Sequence, residues 1–115
     1  MADCLFCKLV AGEIPARIVK RTEDAVAFHD IDPKAPVHVL VIPTRHVPAV
    51  RDVGGGEGDA MLGGLLRFAA EVAGGLGLDA RGYRIVTNTG PDAGQSVDHL
   101  HFHVLGGRRM TWPPG

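Results

Sequence analysis

Three histidines stand at alternate positions in the segment HLHFHVL, residues 99–105. In a β-strand, alternate side chains point to the same face, so the imidazoles would form one row and the apolar residues between them a second row that packs on a core. A neutral imidazole is a good nucleophile near pH 7, because its reference pKa of about 6.5 leaves it mostly deprotonated. The segment therefore predicts attack on an acyl or phosphoryl centre. Histidines that share a metal ion, and histidines with only a structural role, are the alternatives.

The turn before this segment contains Gly94, Gln95 and Ser96, which supply backbone and side-chain hydrogen-bond donors. Such donors suit an anionic phosphoryl oxygen. The sequence has no GxxxxGK[ST] motif and no evident pair of aspartates for Mg²⁺. We therefore expect neither P-loop chemistry nor a magnesium requirement.

Cys4 and Cys7 have the C-x-x-C spacing that supplies half of a zinc site, and His46 and His99 are the natural residues to complete it. We expect a structural Zn²⁺ on these four residues, which would fix the N-terminal segment and orient His101 through its neighbour His99. Free thiols beside a hydrogen-bonded His99 are the alternative. A thioredoxin-like redox pair is disfavoured, because no strand and βα turn precede the cysteines.

The apolar pattern predicts five short strands and one helix. The strands are 17–20, 25–29, 38–43, 83–88 and 99–105. The helical positions are Met61, Leu62, Leu65, Leu66, Ala69, Val72, Ala73 and Leu76. Asp59 is placed as N-cap or first-turn acid of this helix, and Gly63 and Gly64 indicate either a weak helix or close contact with a second subunit. Short strands around one helix indicate the α+β class with a largely antiparallel sheet.

The composition suits one domain over residues 1–115, with 45% apolar residues, 22% charged residues and a formal net charge of −1. This balance argues against binding to nucleic acid or a charged membrane surface, which relies on clustered Lys and Arg. No apolar run approaches the roughly 20 residues that a membrane-spanning helix needs. The start, MADCLFCKLV, lacks the basic and apolar regions of a signal peptide, so we expect a cytoplasmic protein.

The segment 99–105 resembles the signature of the histidine triad (HIT) nucleotide-binding proteins, His-φ-His-φ-His-φ-φ, in which φ is apolar. Similarity to the Hint branch of this family runs along nearly the whole chain. The matching segments are EIPAR at 13–17, AFHDI at 27–31, the APxHxLVIP pattern at 35–43, GYRIVTNTG at 82–90, GQSVDHLHFHVLGGR at 94–108 and the final WPPG.

The resemblance implies an α+β subunit with a five-stranded sheet and one long helix, and a homodimer whose sheet has ten strands. It implies hydrolysis of nucleoside 5′-monophosphate phosphoramidates of the AMP or GMP class, such as adenosine 5′-phosphoramidate, AMP-lysine and aminoacyl adenylates. In this family the middle histidine, here His101, attacks the α-phosphorus, expels the amine and holds a nucleotidyl-histidine until water releases the monophosphate. Dinucleoside polyphosphate hydrolysis, nucleotidyl transfer and nucleotide binding without catalysis are the alternatives.

The resemblance also assigns roles around His101. His103 would contact the α-phosphate oxygens, His38 would join a hydrogen-bonded relay behind the triad, and Ser96 would donate to the phosphate or the leaving group. The residues that match the family's nucleotide contacts are Phe6, Leu9, Ile14, His29, Asp30, Ile31, Asn88, Gly94, Gln95, Ser96, His101 and His103. The Asp30 carboxylate would accept both ribose hydroxyls, or else serve as a turn acid, and the apolar members could equally be core.

The C-terminal segment is stiff, because Pro113 and Pro114 favour an extended backbone, and Trp112 offers a large amphipathic surface. In the Hint branch this tail approaches the partner's active site and tunes the preference for the leaving group. A loosely packed terminus is the alternative. Asp98 departs from the aromatic residue that often precedes the first triad histidine in Hint proteins.

Overall fold

The protein folds into one antiparallel sheet with a helix on each face. The structure, a computed structural model, describes residues 3–115. The strands are β1 Ile18–Arg21, β2 Ala25–His29, β3 Val37–Pro43, β4 Tyr83–Val86 and β5 Phe102–Gly106, and the helices are α1 Leu5–Val10 and α2 Gly55–Gly75. The five strands lie in the order β1-β2-β3-β5-β4, and every neighbouring pair is antiparallel. The predicted α+β class and antiparallel sheet are confirmed. Within residues 3–115, no helix combines the length and the apolar character that crossing a bilayer requires.

Helix α2 covers one face of the sheet, because its apolar residues recur at helical spacing. Its buried side chains form a core with the inward residues of three strands and of the segment before β5; this core includes Leu65, Phe68, Ala69, Val72, Val39, Val41, Leu100, Phe102 and Val104. The helix is confirmed, but the predicted capping role of Asp59 is wrong. The helix begins at Gly55 after the N-cap Gly54, so Glu57 is its first-turn acid. Burial of Gly58, where an added Cβ would lie 2.6 Å from a methyl of Val53, favours this extra turn despite its glycines.

The other face of the sheet is covered by α1, a helix that the sequence pattern did not predict. It has six residues, too few for a clear apolar period. Its N-cap is Cys4, whose sulfur accepts a hydrogen bond from the Cys7 amide at 3.4 Å. Phe6 and Leu9, which are 5% and 6% exposed, pack on the second core cluster with Val26, Phe28, Leu40 and Ile42. These two side chains therefore serve as core.

Strand β5 lies between β3 and β4, and its residues alternate between the two faces as predicted. Phe102 and Val104 face α2, whereas His103 is paired with Leu40, which faces α1. The predicted start of this strand at 99 is wrong, because the β-ladder begins at Phe102. The backbone just before it is bonded to loops instead: the Leu100 amide donates to the Val47 carbonyl at 2.6 Å, and the His101 carbonyl accepts the Thr87 hydroxyl at 2.8 Å. Because the His101 carbonyl bonds to the Thr87 hydroxyl and not to a backbone amide, β4 ends at Val86 rather than at residue 88.

Candidate active site and metal cluster

Four histidine rings gather on the face of the sheet that α1 covers. The ring centroids of His101 and His103 are 5.1 Å apart, and those of His103 and His38 are 5.2 Å apart. His99 and His101 are 0% and 4% exposed. The Phe6 ring makes T-shaped contacts with the rings of His99 and His101, at centroid distances of 5.9 and 5.2 Å. Phe6 thus packs directly against two of the triad rings.

The hydrogen bond of His101 determines which of its nitrogens can react. His101 Nδ1 lies 2.7 Å from the carbonyl oxygen of His99. A carbonyl only accepts hydrogen bonds, so Nδ1 carries the proton and Nε2 keeps its lone pair. Within residues 3–115, every buried side-chain nitrogen and oxygen has a hydrogen-bond partner. His101 Nε2 has no partner among these residues, so this atom must be accessible at the surface. The ring therefore presents a free nucleophilic nitrogen.

A chain of hydrogen bonds also determines the tautomers of His38 and His103. The Lys34 amide donates to His38 Nδ1 at 3.0 Å, so in the neutral ring the proton is on His38 Nε2. His38 Nε2 then donates to His103 Nδ1 at 2.9 Å, which leaves the proton of His103 on Nε2. Asp30 Oδ2 lies 3.4 Å from His38 Nε2. Asp30, His38 and His103 are close enough to hold a metal ion, but the Lys34 amide favours a hydrogen bond between the two rings over a metal.

The electrostatic environment keeps the rings of His38 and His103 neutral. Burial, followed by the neighbouring His101 and His38, lowers the pKa of His103 to about 4. Burial also lowers the pKa of His38, although the Asp30 carboxylate partly opposes this shift. His103 is thus uncharged at pH 7 and can donate a hydrogen bond from Nε2 to an anionic oxygen.

Cys4, Cys7, His46 and His99 converge beside the triad and lie close enough to hold a metal ion. His46 Nδ1 and His99 Nδ1 are 3.2 Å apart, Cys7 Sγ is 3.2 Å from His46 Nδ1, and Cys4 Sγ is 3.4 Å from His99 Nδ1. Zinc bonds of about 2.3 Å to sulfur and about 2.05 Å to nitrogen place tetrahedral ligands about 3.3 Å (N to N) and about 3.6 Å (S to N) apart. The donor set therefore has the dimensions of a tetrahedral zinc site.

The second nitrogen of His99 supports the same interpretation. His99 Nε2 donates to the Pro43 carbonyl at 2.9 Å, which leaves the lone pair of Nδ1 directed at the other three donors. A bond of this kind usually orients a metal-ligating histidine. Because the carbonyl of His99 also accepts the proton of His101 Nδ1, one residue contacts both the metal cluster and the reactive ring.

The turn before the triad is shaped by glycine and held by Gln95. Gly94 has φ +79°, a conformation that glycine adopts without strain. The side-chain oxygen Oε1 of Gln95 accepts from the Gly90 amide at 2.9 Å, and the side-chain nitrogen Nε2 donates to the carbonyls of Pro48 and Val97 at 2.7 and 3.1 Å. The predicted donation from Gln95 to a phosphate would need these bonds to break, whereas Ser96 is exposed.

The predicted nucleoside contacts differ in how accessible they are. Ile31 is fully exposed at 101%, and the Asp30 side chain is 18% exposed. Asp30 Oδ1 accepts the Asp32 amide at 2.8 Å, so this carboxylate also serves as a turn acid. His29, Ile14 and Asn88 are half-buried.

The C-terminal tail lies along the sheet edge. The Arg84 guanidinium donates to the Thr111 carbonyl at 2.9 Å, and Arg108 donates to the Lys34 carbonyl at 3.1 Å. The backbone of the tail is thus anchored, while the Trp112 side chain is 82% exposed.

Sequence reasoning missed two backbone contributors to the site and gave Phe6 a different role. The Lys34 amide and the Pro43 carbonyl are backbone groups, which no residue type reveals. Phe6 was expected at the nucleoside, and its contact with the histidine rings depends on the unpredicted α1.

Comparison with known proteins shows extensive similarity. The HIT domain matches residues 11–110. An uncharacterized HIT-like protein of Synechocystis is 47% identical over 113 residues, which cover 98% of this chain and 97% of the relative. An uncharacterized HIT-like protein of Azospirillum brasilense is 47% identical over 106 residues, covering 92% and 87%.

Solved structures agree with this similarity. A HIT family hydrolase from Legionella pneumophila has a TM-score of 0.95 and 46% identity, covering 98% of this chain and 100% of its own. A histidine triad nucleotide-binding protein from Candida albicans has a TM-score of 0.82 and 33% identity, covering 96% and 83%. The chain belongs to the HIT domain family.

Proposed function

We propose that this protein hydrolyses nucleoside 5′-monophosphate phosphoramidates through a nucleotidyl intermediate on His101 Nε2. The observation that carries the proposal is the hydrogen bond between His101 Nδ1 and the His99 carbonyl at 2.7 Å, since it leaves the outer nitrogen as a nucleophile. The name of the Legionella relative as a hydrolase, and of the Candida relative as a nucleotide-binding protein, supports the same class of chemistry.

In the first step, the lone pair of His101 Nε2 attacks the α-phosphorus, and the bond from phosphorus to the leaving nitrogen breaks. The amine leaves with a proton, for which exposed Ser96 is the proposed donor. His103 Nε2–H donates to the α-phosphate oxygens, because its other nitrogen is occupied by His38. In the second step, water attacks the phosphorus and returns a proton to Ser96, the bond to Nε2 breaks with its electron pair returning to the ring, and the monophosphate departs.

We propose that the nucleoside lies beyond the end of β2. There Asp30 would accept the ribose hydroxyls and the exposed Ile31 would contact a purine base. His29, Ile14 and Asn88 would line the same site, and the buried Phe6 and Leu9 would support it from below.

We propose that Cys4, Cys7, His46 and His99 hold a structural Zn²⁺. Such an ion stabilises the fold by cross-linking its four ligands. It would keep the His99 carbonyl in place for His101. A reducing cytoplasmic location suits two free thiols at this site.

We also propose a homodimer, in which the exposed Trp112 of one subunit approaches the site of its partner.

The test is acid-quenched mass spectrometry during turnover of adenosine 5′-phosphoramidate. We expect a mass increase of one nucleotidyl group on the peptide that contains His101. His101→Ala should abolish turnover and the adduct while AMP still binds, as measured by calorimetry. Turnover that survives in this variant would refute the assignment.

A side-by-side assay with diadenosine triphosphate separates the proposed activity from that of other HIT enzymes. Faster cleavage of the dinucleotide would show that the protein is a polyphosphate hydrolase and not a phosphoramidate hydrolase. Binding of AMP without turnover of either substrate would leave a nucleotide-binding protein.

A further inference from the structure

We propose that Gln95 is a positioning residue that joins the metal cluster to the turn at 90–96, so that metal occupancy controls how rigidly this turn is held. The importance of the turn for phosphate and the presence of the metal rest on the proposed function. The physical connection between the two sites rests on the hydrogen bonds.

The side chain of Gln95 uses all its hydrogen-bonding groups at once. Its oxygen accepts from the Gly90 amide, and its nitrogen donates to the Val97 carbonyl, so the side chain closes the turn from within. The same nitrogen donates its second hydrogen bond to the carbonyl of Pro48, at 2.7 Å. Pro48 belongs to a different segment of the chain. One planar amide therefore holds the turn in shape and fastens it to its neighbour.

The segment that receives this bond begins at a ligand of the metal cluster. His46 supplies one of the four donor atoms and lies two residues before Pro48. The Val47 carbonyl accepts the Leu100 amide at 2.6 Å, next to His99, a second ligand. Val47 and Ala49 are 6% and 2% exposed. A displacement of His46 is therefore transmitted to the Pro48 carbonyl rather than absorbed by a loose loop.

The turn has little other support. Within residues 3–115, the bond from Gln95 to Pro48 is the one hydrogen bond that ties residues 90–96 to a segment outside the turn and its flank. The remaining bonds, such as Gly94 to Pro91 at 3.0 Å and the Gln95 amide to Gly90 at 3.1 Å, are internal. Residues 91–94 are exposed. Loss of the Gln95 amide would release the turn from the metal cluster.

Hydrogen exchange measured by mass spectrometry tests the connection without any nucleotide. In the wild type, loading zinc should slow exchange of the peptide 88–97 by about five- to tenfold, the effect of one hydrogen bond of ordinary strength. In Gln95→Ala, and in Gln95→Glu, which keeps the acceptor but loses both donors, zinc should change this exchange by less than twofold. Ala93→Ser, an exposed neutral change in the same turn, is the matched control and should behave as the wild type.

The β3 peptide, 37–43, reports whether each variant and the metal-free protein are folded. Protection of 88–97 that responds to zinc equally in wild type and Gln95→Ala would overturn the proposal, as would no response in the wild type. AMP affinity of zinc-loaded and metal-free protein gives a second readout: zinc should tighten binding about fivefold in the wild type and not in Gln95→Ala. Absence of AMP binding in all samples would count against the proposed function, while the exchange data would still decide the role of Gln95.

Discussion

Acidification should destabilise the fold through His103, whose pKa of about 4 lies below the ordinary value of 6.5. Between these two values the unfolded chain binds a proton that the folded ring does not, so stability falls as the pH drops from about 6.5 to about 4. Between pH 7.5 and pH 4.5 this linkage amounts to about 2.5 kcal/mol, and solvent around the partly exposed ring reduces it to about 2 kcal/mol.

The assay compares wild type with His103→Asn, which cannot be protonated in this range. Urea unfolding at pH 7.5 and at pH 4.5 gives the free energy of unfolding, and both proteins are kept metal-free with a chelator so that acid release of a metal does not contribute. Far-UV circular dichroism is the probe, because the chain's single tryptophan, Trp112, is 82% exposed and reports poorly on the core.

We expect the wild type to lose about 2 kcal/mol more than the variant on acidification. The lowered pKa values of His38 and His99 act in the same direction but are present in both proteins, so the comparison removes most of their effect. Equal losses in the two proteins, within about 0.5 kcal/mol, would refute the argument that burial keeps the His103 ring neutral.

Two further predictions concern the backbone and the metal. Gly107→Ala should lower the free energy of unfolding by about 2–3 kcal/mol, because φ is +87° and the new Cβ would lie 2.9 Å from Pro36 Cβ. Gly77→Ala is the control: φ is +79° but no atom lies within 4 Å of the new Cβ, so this change should cost about 1 kcal/mol. Urea midpoints check the difference, and equal values would show that the contact with Pro36 relaxes freely. Chelation of zinc-loaded protein should lower Tm by about 10 °C, since a metal at about 100 times its Kd adds about 2.7 kcal/mol. Cys7→Ala should show a low Tm that chelation leaves unchanged, and a wild-type Tm insensitive to chelation would contradict the metal proposal.

The local pattern of residues determined most of the fold. A short apolar run beside a polar turn predicted β2 within its observed bounds, because a strand inside a sheet packs on both of its faces. The helical spacing of Leu65, Ala69 and Val72 predicted α2, because these positions share the helix face that packs on the sheet. The sequence also pointed to the donor set of the metal cluster, because cysteine and histidine are the side chains that zinc prefers.

Only the tertiary structure decided the protonation pattern of the site. The proton positions on His101, His38 and His103 follow from the His99 carbonyl and the Lys34 amide, and every residue has such groups, so the amino-acid type carries no information about them. The start of β5 at Phe102 depends likewise on a bond from Leu100 to Val47, more than fifty residues away in the chain.

The same limit applies to distances between remote residues. Cys4 and His99 are 95 residues apart in sequence, yet their sulfur and nitrogen lie 3.4 Å apart because α1 packs on the face of the sheet where His99 emerges. Spacing along the chain predicted which residues could meet, but their separation depends on how the helix, the strands and the turns pack together. The sequence thus determined the chemical groups of the site, and the packing of distant segments determined their geometry.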